Sequence, residues 1–199
     1  MVMNRYVLLA SLFLIVIIFF TLFYNNSLTK QHPNPPSPSA TIKKGDGAMK
    51  ISSPAFTNNR NIPRLYTCDG RGVNPPLQFS NIPQETKSLV LIMDDPDIPG
   101  GGVFDHWIVY NIDPTTTNIP EANTPPGEEG LNSSGNKGYF AACPPDRQHR
   151  YFFKLYALDT LLQFHNTSSV TKQMVIEQMQ GHILDHAELI GLYNRPQNQ

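Results

Sequence analysis

The chain has 199 residues and a formal net charge of −1, so it lacks the basic field that a nucleic-acid partner requires. Its 18 prolines, 13 glycines and 10% aromatic content favour short strands and punctuated loops over a helical bundle. The two cysteines, Cys68 and Cys143, are too few for a structural zinc site of their own or for a disulfide-dense scaffold.

Residues 1–5 form a short flank carrying Arg5. Tyr6 to Tyr24 is apolar, uncharged and free of proline, and about 19 such residues suffice to cross a bilayer as a helix. The run ends in Phe23, Tyr24, Asn25 and Asn26 and not in the small residues of a cleavage site, so an uncleaved single-pass anchor is expected at 6–24. Arg5 on one side and Lys30, Lys43 and Lys44 on the other nearly balance under the positive-inside rule. An anchor so near the N-terminus most simply leaves the domain outside the cytoplasm. Residues 25–48 include HPNPPSPSA, an extended, semi-stiff tether.

A domain is expected over 49–199. Met49 to Ser52 reads as a first strand, and Leu77 to Phe79 becomes strand-like after Asn74, Pro75 and Pro76. Ser88 to Met93 is a buried strand by its continuous apolar run. It leads into Asp94-Asp95-Pro96-Asp97-Ile98-Pro99 and three glycines, after which Phe104 to Ile112 is another strand. Asp113 to Asn136 reads as one long loop of the kind that covers something. His149 and Arg150 open a strand, Tyr151 to Leu158, that is apolar on both faces and therefore central in a sheet. Val175, Met179 and Ile183 recur every fourth residue behind Thr171, which predicts a capped helix from Thr171 to about Ile183. Glu188 to Arg195 closes the fold as a last strand. The expected class is an all-β-dominated sandwich, a large antiparallel sheet and a smaller second one with one or two peripheral helices.

Asp95 and Asp97, then His106, then His149 with Arg150 each fall at a strand end. A carboxylate beside a histidine fixes its tautomer and favours its cation, and a donor-rich histidine pair suits a small anion. Pro144 and Pro145 would form a rigid wall, with Trp107, Phe104 and Tyr151 completing the cavity. The bland alternative is that the D-P-D segment is turn chemistry and the histidines are packing residues. His182 and His186 share a helix face at the spacing of a metal pair, but without H-E-x-x-H an exposed helix end is the better reading. No nucleophile-elbow pattern is present.

Asp95-Pro-Asp97-Ile-Pro99, His106-Trp107, Cys143-Pro-Pro145 and His149-Arg-Tyr151 together resemble the phosphatidylethanolamine-binding protein family, in particular its bacterial and archaeal Raf-kinase-inhibitor-like branch of the YbhB/YbcL type. Ser53-Pro54-Ala-Phe56, Tyr66-Thr-Cys-Asp-Gly70 and Gly181-His-Ile-Leu184 extend the match from Met49 to Arg195. The resemblance implies a β-sandwich with a pocket for phosphate or a phosphorylated head group. It assigns ligand binding to Asp95, Asp97, His106, Trp107, Pro144, Pro145, His149 and Tyr151, with Asp95 orienting His106. The leading expectation is a binding protein with no enzymatic activity, no cofactor and no metal; its partners would be a small anion or phospholipid head group and, through the N-terminal helix, the membrane. A kinase- or protease-inhibiting module is the rival reading, and a metal-dependent hydrolase using Asp95, Asp97, His106 and His149 a more distant one. The chain departs from the pattern in its short Asp146-Arg147-Gln148 loop and in a cysteine before the prolines. The resemblance brings the Cys68 and Cys143 loops to one end of the sandwich, where a disulfide or two small buried hydrophobes would fit.

Overall fold

The computed structural model describes residues 47–196. The expected membrane anchor at 6–24 and nearly all of the 25–48 tether lie outside the described residues, among which no helix is long and apolar enough to cross a membrane.

Two sheets carry the fold. The small one has the order β1 (Lys50–Ser52), β3 (Leu77–Ser80), β6 (Asn118–Ile119), all antiparallel. The large one comprises β2 (Arg60–Asn61), β9 (Ile183–Tyr193), β8 (His149–Leu158), β4 (Ser88–Asp95), β5 (Phe104–Ile112) and β7 (Glu128–Glu129), in that spatial order. Its neighbours pair antiparallel except β2, which lies parallel to β9. The strands at its two edges are two residues long.

The apolar run of β4 is explained by cover on both faces, since every residue of the strand is buried. Leu89, Leu91 and Met93 join Ile51, Leu77, Phe79, Trp107, Phe153 and Leu155 between the two sheets. Val90 and Ile92 join Ile108, Tyr110, Val175 and Met179 on the outer face, beneath the helix α1 (Lys172–Met179). Strand alternation therefore sorts one continuous hydrophobic string into two cores.

The expected strand Phe104–Ile112 coincides with β5, and Thr171 does cap α1 by accepting from the Met174 N–H. The helix is shorter than its periodicity suggests. It stops at Met179 because Gly181 adopts φ +81° just beyond the cap, where glycine commonly ends a helix. Ile183 instead starts β9, so the last strand begins earlier than Glu188 and carries His186. The segment 113–136 is not a plain loop: it contributes β6 to one sheet and β7 to the other.

Candidate functional site

The site lies where β4 ends, β5 begins and β8 begins. A cavity of ≈ 190 Å³ opens there, lined by Asp95, Ile98, Pro99, Phe104, His106, Phe140, Cys143, Pro145, His149 and Tyr151. Ligand pockets for drug-sized molecules run to about 300–1,000 Å³, so this one suits a smaller group.

A β-bulge aims the key histidine. The β4–β5 pairing steps from Met93 opposite Trp107 to Asp94 opposite Asp105, leaving His106 as the extra residue. Plain alternation would send His106 to the outer face with Ile108 and Tyr110. The bulge turns it to the face of Asp95 and Tyr151, the usual effect of such an insertion near a functional site. Its ring lies 5.2 Å from that of Tyr151 and 4.8 Å from that of Phe104. The Nδ1–H donates to the Phe140 carbonyl at 2.7 Å. A carbonyl can only accept, so the proton is on Nδ1, and Nε2 of the neutral ring is left as an acceptor. Burial holds the His106 imidazole below its ordinary pKa, opposed by the Phe140 carbonyl and by the charges of Asp95, Asp105 and Asp94. The expected cationic histidine is thus a neutral one in the free protein. Nor does Asp95 orient His106; the Phe140 backbone does.

Asp95 serves His149. Its Oδ2 meets His149 Nδ1 at 2.7 Å, and its Oδ1 accepts from the Asp97 N–H at 2.8 Å. The second ring nitrogen, Nε2, meets Asp146 Oδ1 at 2.8 Å. Ionised carboxylates only accept, so with both acids ionised the His149 ring carries both protons. The bond to His149 holds the Asp146 carboxyl below the usual carboxylate range. Arg147 in turn donates to Asp146 Oδ2 at 2.7 Å and to the Asp97 carbonyl at 3.0 Å. Two carboxylates thus enclose the His149 ring, and Arg147 pairs with the outer one. Both His149 nitrogens are engaged, so the expected direct contact of His149 with a ligand reduces to its ring edge.

The Tyr151 hydroxyl is buried and close to the Asp95 carboxylate and the Cys143 backbone, yet makes no hydrogen bond of good geometry. Burial is the largest influence raising its pKa far above the ordinary phenol value. It is a neutral donor at the cavity wall, with the Asp95 carboxylate beside it.

Three expected contacts lie elsewhere. Asp97 is absent from the cavity wall; it binds the Arg150 backbone and guanidinium at 2.7–2.9 Å, which pulls its pKa down to about 2. Trp107 packs in the core between the sheets, with its Nε1–H directed to Glu129 at 3.3 Å. Pro144 is buried, and Pro145 is the proline that lines the cavity. With Asp97 turned away, the four-residue metal set does not assemble, and no group of three or more His, Cys, Asp or Glu side chains suited to a metal occurs among the described residues. His182 pairs with Asp159 at 2.8 Å, and His186 stacks on Tyr156.

A covalent tie fixes the wall. Cys68 and Cys143 form a disulfide with their Cα atoms 5.4 Å apart, a spacing that needs no backbone movement. Beside it the Cys68 N–H donates to the Ala142 carbonyl at 3.1 Å, and the Tyr139 hydroxyl to the Tyr66 carbonyl at 2.8 Å. The anchoring turn requires Gly70, where a Cβ would lie 2.1 Å from the Arg64 carbonyl oxygen. Asp69 in the same turn holds the C-terminal end through Tyr193 and Arg195.

Sequence reasoning did not single out Phe140 as a positioning group, nor Ile98 and Pro99 as wall. It noted Asp146 only as part of a short loop. That shortness was the available signal: a loop of three residues before His149 keeps a side chain within reach of its ring.

Residues 52–194 match the model of the family described as phosphatidylethanolamine-binding protein. The chain is 46% identical over 151 residues to a UPF0098 protein of Chlamydia trachomatis, covering 74% of this chain and 99% of the relative. It is 47% identical over 153 residues to one of Methanothermobacter thermautotrophicus, with the same coverage. The crystal structure of a putative phosphatidylethanolamine-binding protein homologue from Chlamydia trachomatis superposes with a TM-score of 0.71 at 47% identity, over 74% of this chain and 98% of that one. E. coli YbcL, described as a member of the mammalian family, gives 0.68 at 27% identity, over 75% and 99%.

Proposed function

The chain belongs to the phosphatidylethanolamine-binding protein family, and on that premise we propose that it is a non-enzymatic binding protein whose cavity takes a small anion, a phosphate or phosphorylated head group. One observation carries this reading: the buried Tyr151 hydroxyl makes no well-formed hydrogen bond within the protein and lines a cavity of ≈ 190 Å³. A buried donor left unmade costs about 1–3 kcal/mol, which an oxyanion in the cavity would recover. The charges around the cavity support it as well. Asp95 is paired with His149, and Asp146 with His149 and Arg147, so neither carboxylate is turned unpaired toward an incoming anion. In this reading Asp95 and His149 hold the floor, His106 and Tyr151 touch the ligand, and Pro145, Phe104 and Phe140 shape the opening.

The uncharged run at 6–24 and the proline-rich tether would hold the domain near a membrane, on its extracytoplasmic side. A disulfide between Cys68 and Cys143 accords with such an oxidising compartment.

Titration of the full chain with inorganic phosphate, followed by histidine side-chain NMR, tests the binding reading. His106 resonances are expected to move and saturate at millimolar phosphate. Unmoved resonances at that concentration would remove the proposal.

A further inference from the structure

We propose that the Cys68–Cys143 disulfide is a redox latch on the cavity wall. Oxidised, it holds residues 139–146 against the site; reduced by a small thiol or dithiol, it releases them while both sheets stay folded. Nothing in this depends on which ligand the cavity takes.

The bond lies within reach of a reductant. Cys68 is exposed, and Cys143 is half-buried in the wall of the cavity. Exposed disulfides exchange with free thiols more readily than sheltered ones.

Its two ends are held unequally. Cys68 belongs to a turn that closes on itself. The Thr67 N–H and hydroxyl donate to the Arg64 carbonyl at 3.1 and 2.9 Å, and the Arg71 N–H donates to the Leu65 carbonyl at 3.0 Å. Asp69 beside it binds Tyr193 and Arg195. Cys143 lies instead in 139–148, a stretch with no helix or strand. There Ala142 makes an isolated bridge with Thr67, and the Phe140 N–H donates to the His106 carbonyl at 2.9 Å. Neither cysteine belongs to a ladder of either sheet, so β4, β5 and β8 keep their pairing when the bond opens. Opening is therefore local and not global.

The loosely held end carries the site. The Phe140 carbonyl fixes the His106 proton on Nδ1, Cys143 and Pro145 line the cavity, and Asp146 bonds His149 Nε2. Releasing this stretch frees the His106 ring to carry its proton on either nitrogen and loosens the wall at Pro145.

The exchange itself is ordinary thiol chemistry. A thiolate of the reductant attacks the exposed Cys68 sulfur, the Cys68–Cys143 bond breaks, and its electron pair leaves on Cys143, which takes up a proton. A second thiolate then attacks the reductant's sulfur in the mixed disulfide and releases Cys68. In sum the protein gains two electrons and two protons, and two reductant thiols become one disulfide.

The full chain in detergent micelles, with no denaturant, would be incubated with millimolar reduced glutathione. Alkylation and mass spectrometry would count free thiols, hydrogen exchange would be mapped, and the histidine ring nitrogens followed by NMR. Both cysteines are expected to become alkylable. Exchange should rise roughly tenfold or more in 139–146 and stay unchanged in β4 and β8. The His106 ring resonances should move, and return on reoxidation. Cys68→Ser with Cys143→Ser should show the reduced pattern without reductant and no response to glutathione; if that variant does not fold, reduction of the unaltered chain still decides. A bond that opens only after denaturation would overturn the proposal. So would exchange rising equally in β4 and β8, which marks a global staple, or reduction that leaves 139–146 and His106 unchanged.

Discussion

Asp94 and Asp95 are neighbours on β4 that face opposite sides of the large sheet. Asp94 meets Lys154 at 2.9 Å and Lys172 at 3.4 Å, and Lys172 also contacts Asp105. Two carboxylates and two ammoniums close on themselves there and pin α1 to β4, β5 and β8. Asp95 is paired with the ring of His149 and lines a cavity. The difference teaches that charge alone does not mark a site. A carboxylate closed in an ion-pair cluster is scaffold, whereas one set in the wall of a cavity positions the groups that line it.

The comparison can be broken in four ways. The largest effect is expected from Cys68→Ser with Cys143→Ser. Opening a link between residues 75 apart in sequence should cost about 4 kcal/mol by the chain-entropy argument. Hydrogen exchange should rise in 139–146, on the Asp95 side, more than in α1. Next comes Asp94→Ala, which strands two lysine charges. The lysine side chains are 29% and 17% exposed, so the loss falls at the lower end for a broken buried pair, about 3 kcal/mol in urea unfolding. Phosphate affinity should be unchanged; a parallel loss of binding would show that the two faces are not independent. Tyr151→Phe reverses that pattern, with stability held within about 1 kcal/mol and phosphate binding weakened roughly tenfold, read by calorimetry.

The smallest effect is that of pH on His106. Its folded pKa lies below the ordinary value because of burial, so the native state binds fewer protons than the unfolded one. The stability this contributes is complete above about pH 6.5 and is lost as pH falls toward the folded pKa. The groups facing the ring are Asp95 from β4 and Tyr151 and His149 from β8, with Asp94 and Asp105 nearby. Protonation would convert Nε2 from acceptor to donor. Phosphate affinity should therefore rise as pH falls through the His106 titration, measured by calorimetry at successive pH values.

Much of the scaffold is legible in the chain because strand periodicity is local. Ser88 to Met93 announces a strand covered on both sides, and Phe104 to Ile112 falls on β5 to the residue. The site residues on strand ends, Asp95, His106, His149 and Tyr151, converge as a group. What failed was decided by geometry that residue types do not encode. His182 and His186 are four apart, a spacing that shares a face on a helix and equally on a strand; Gly181 ends the helix before either is reached. Trp107 follows His106 directly, yet the bulge sends His106 to the cavity wall while Trp107 fills the core. The partner of His106 is a backbone carbonyl at Phe140, and any residue type could supply one.

The short strands bordering the large sheet have a consequence for crowded surroundings. Main-chain donors and acceptors at a sheet border are a template on which a second molecule can stack. Here the two bordering strands, β2 and β7, each offer only two residues of regular main chain. A second molecule would find little regular main chain on those two strands on which to stack.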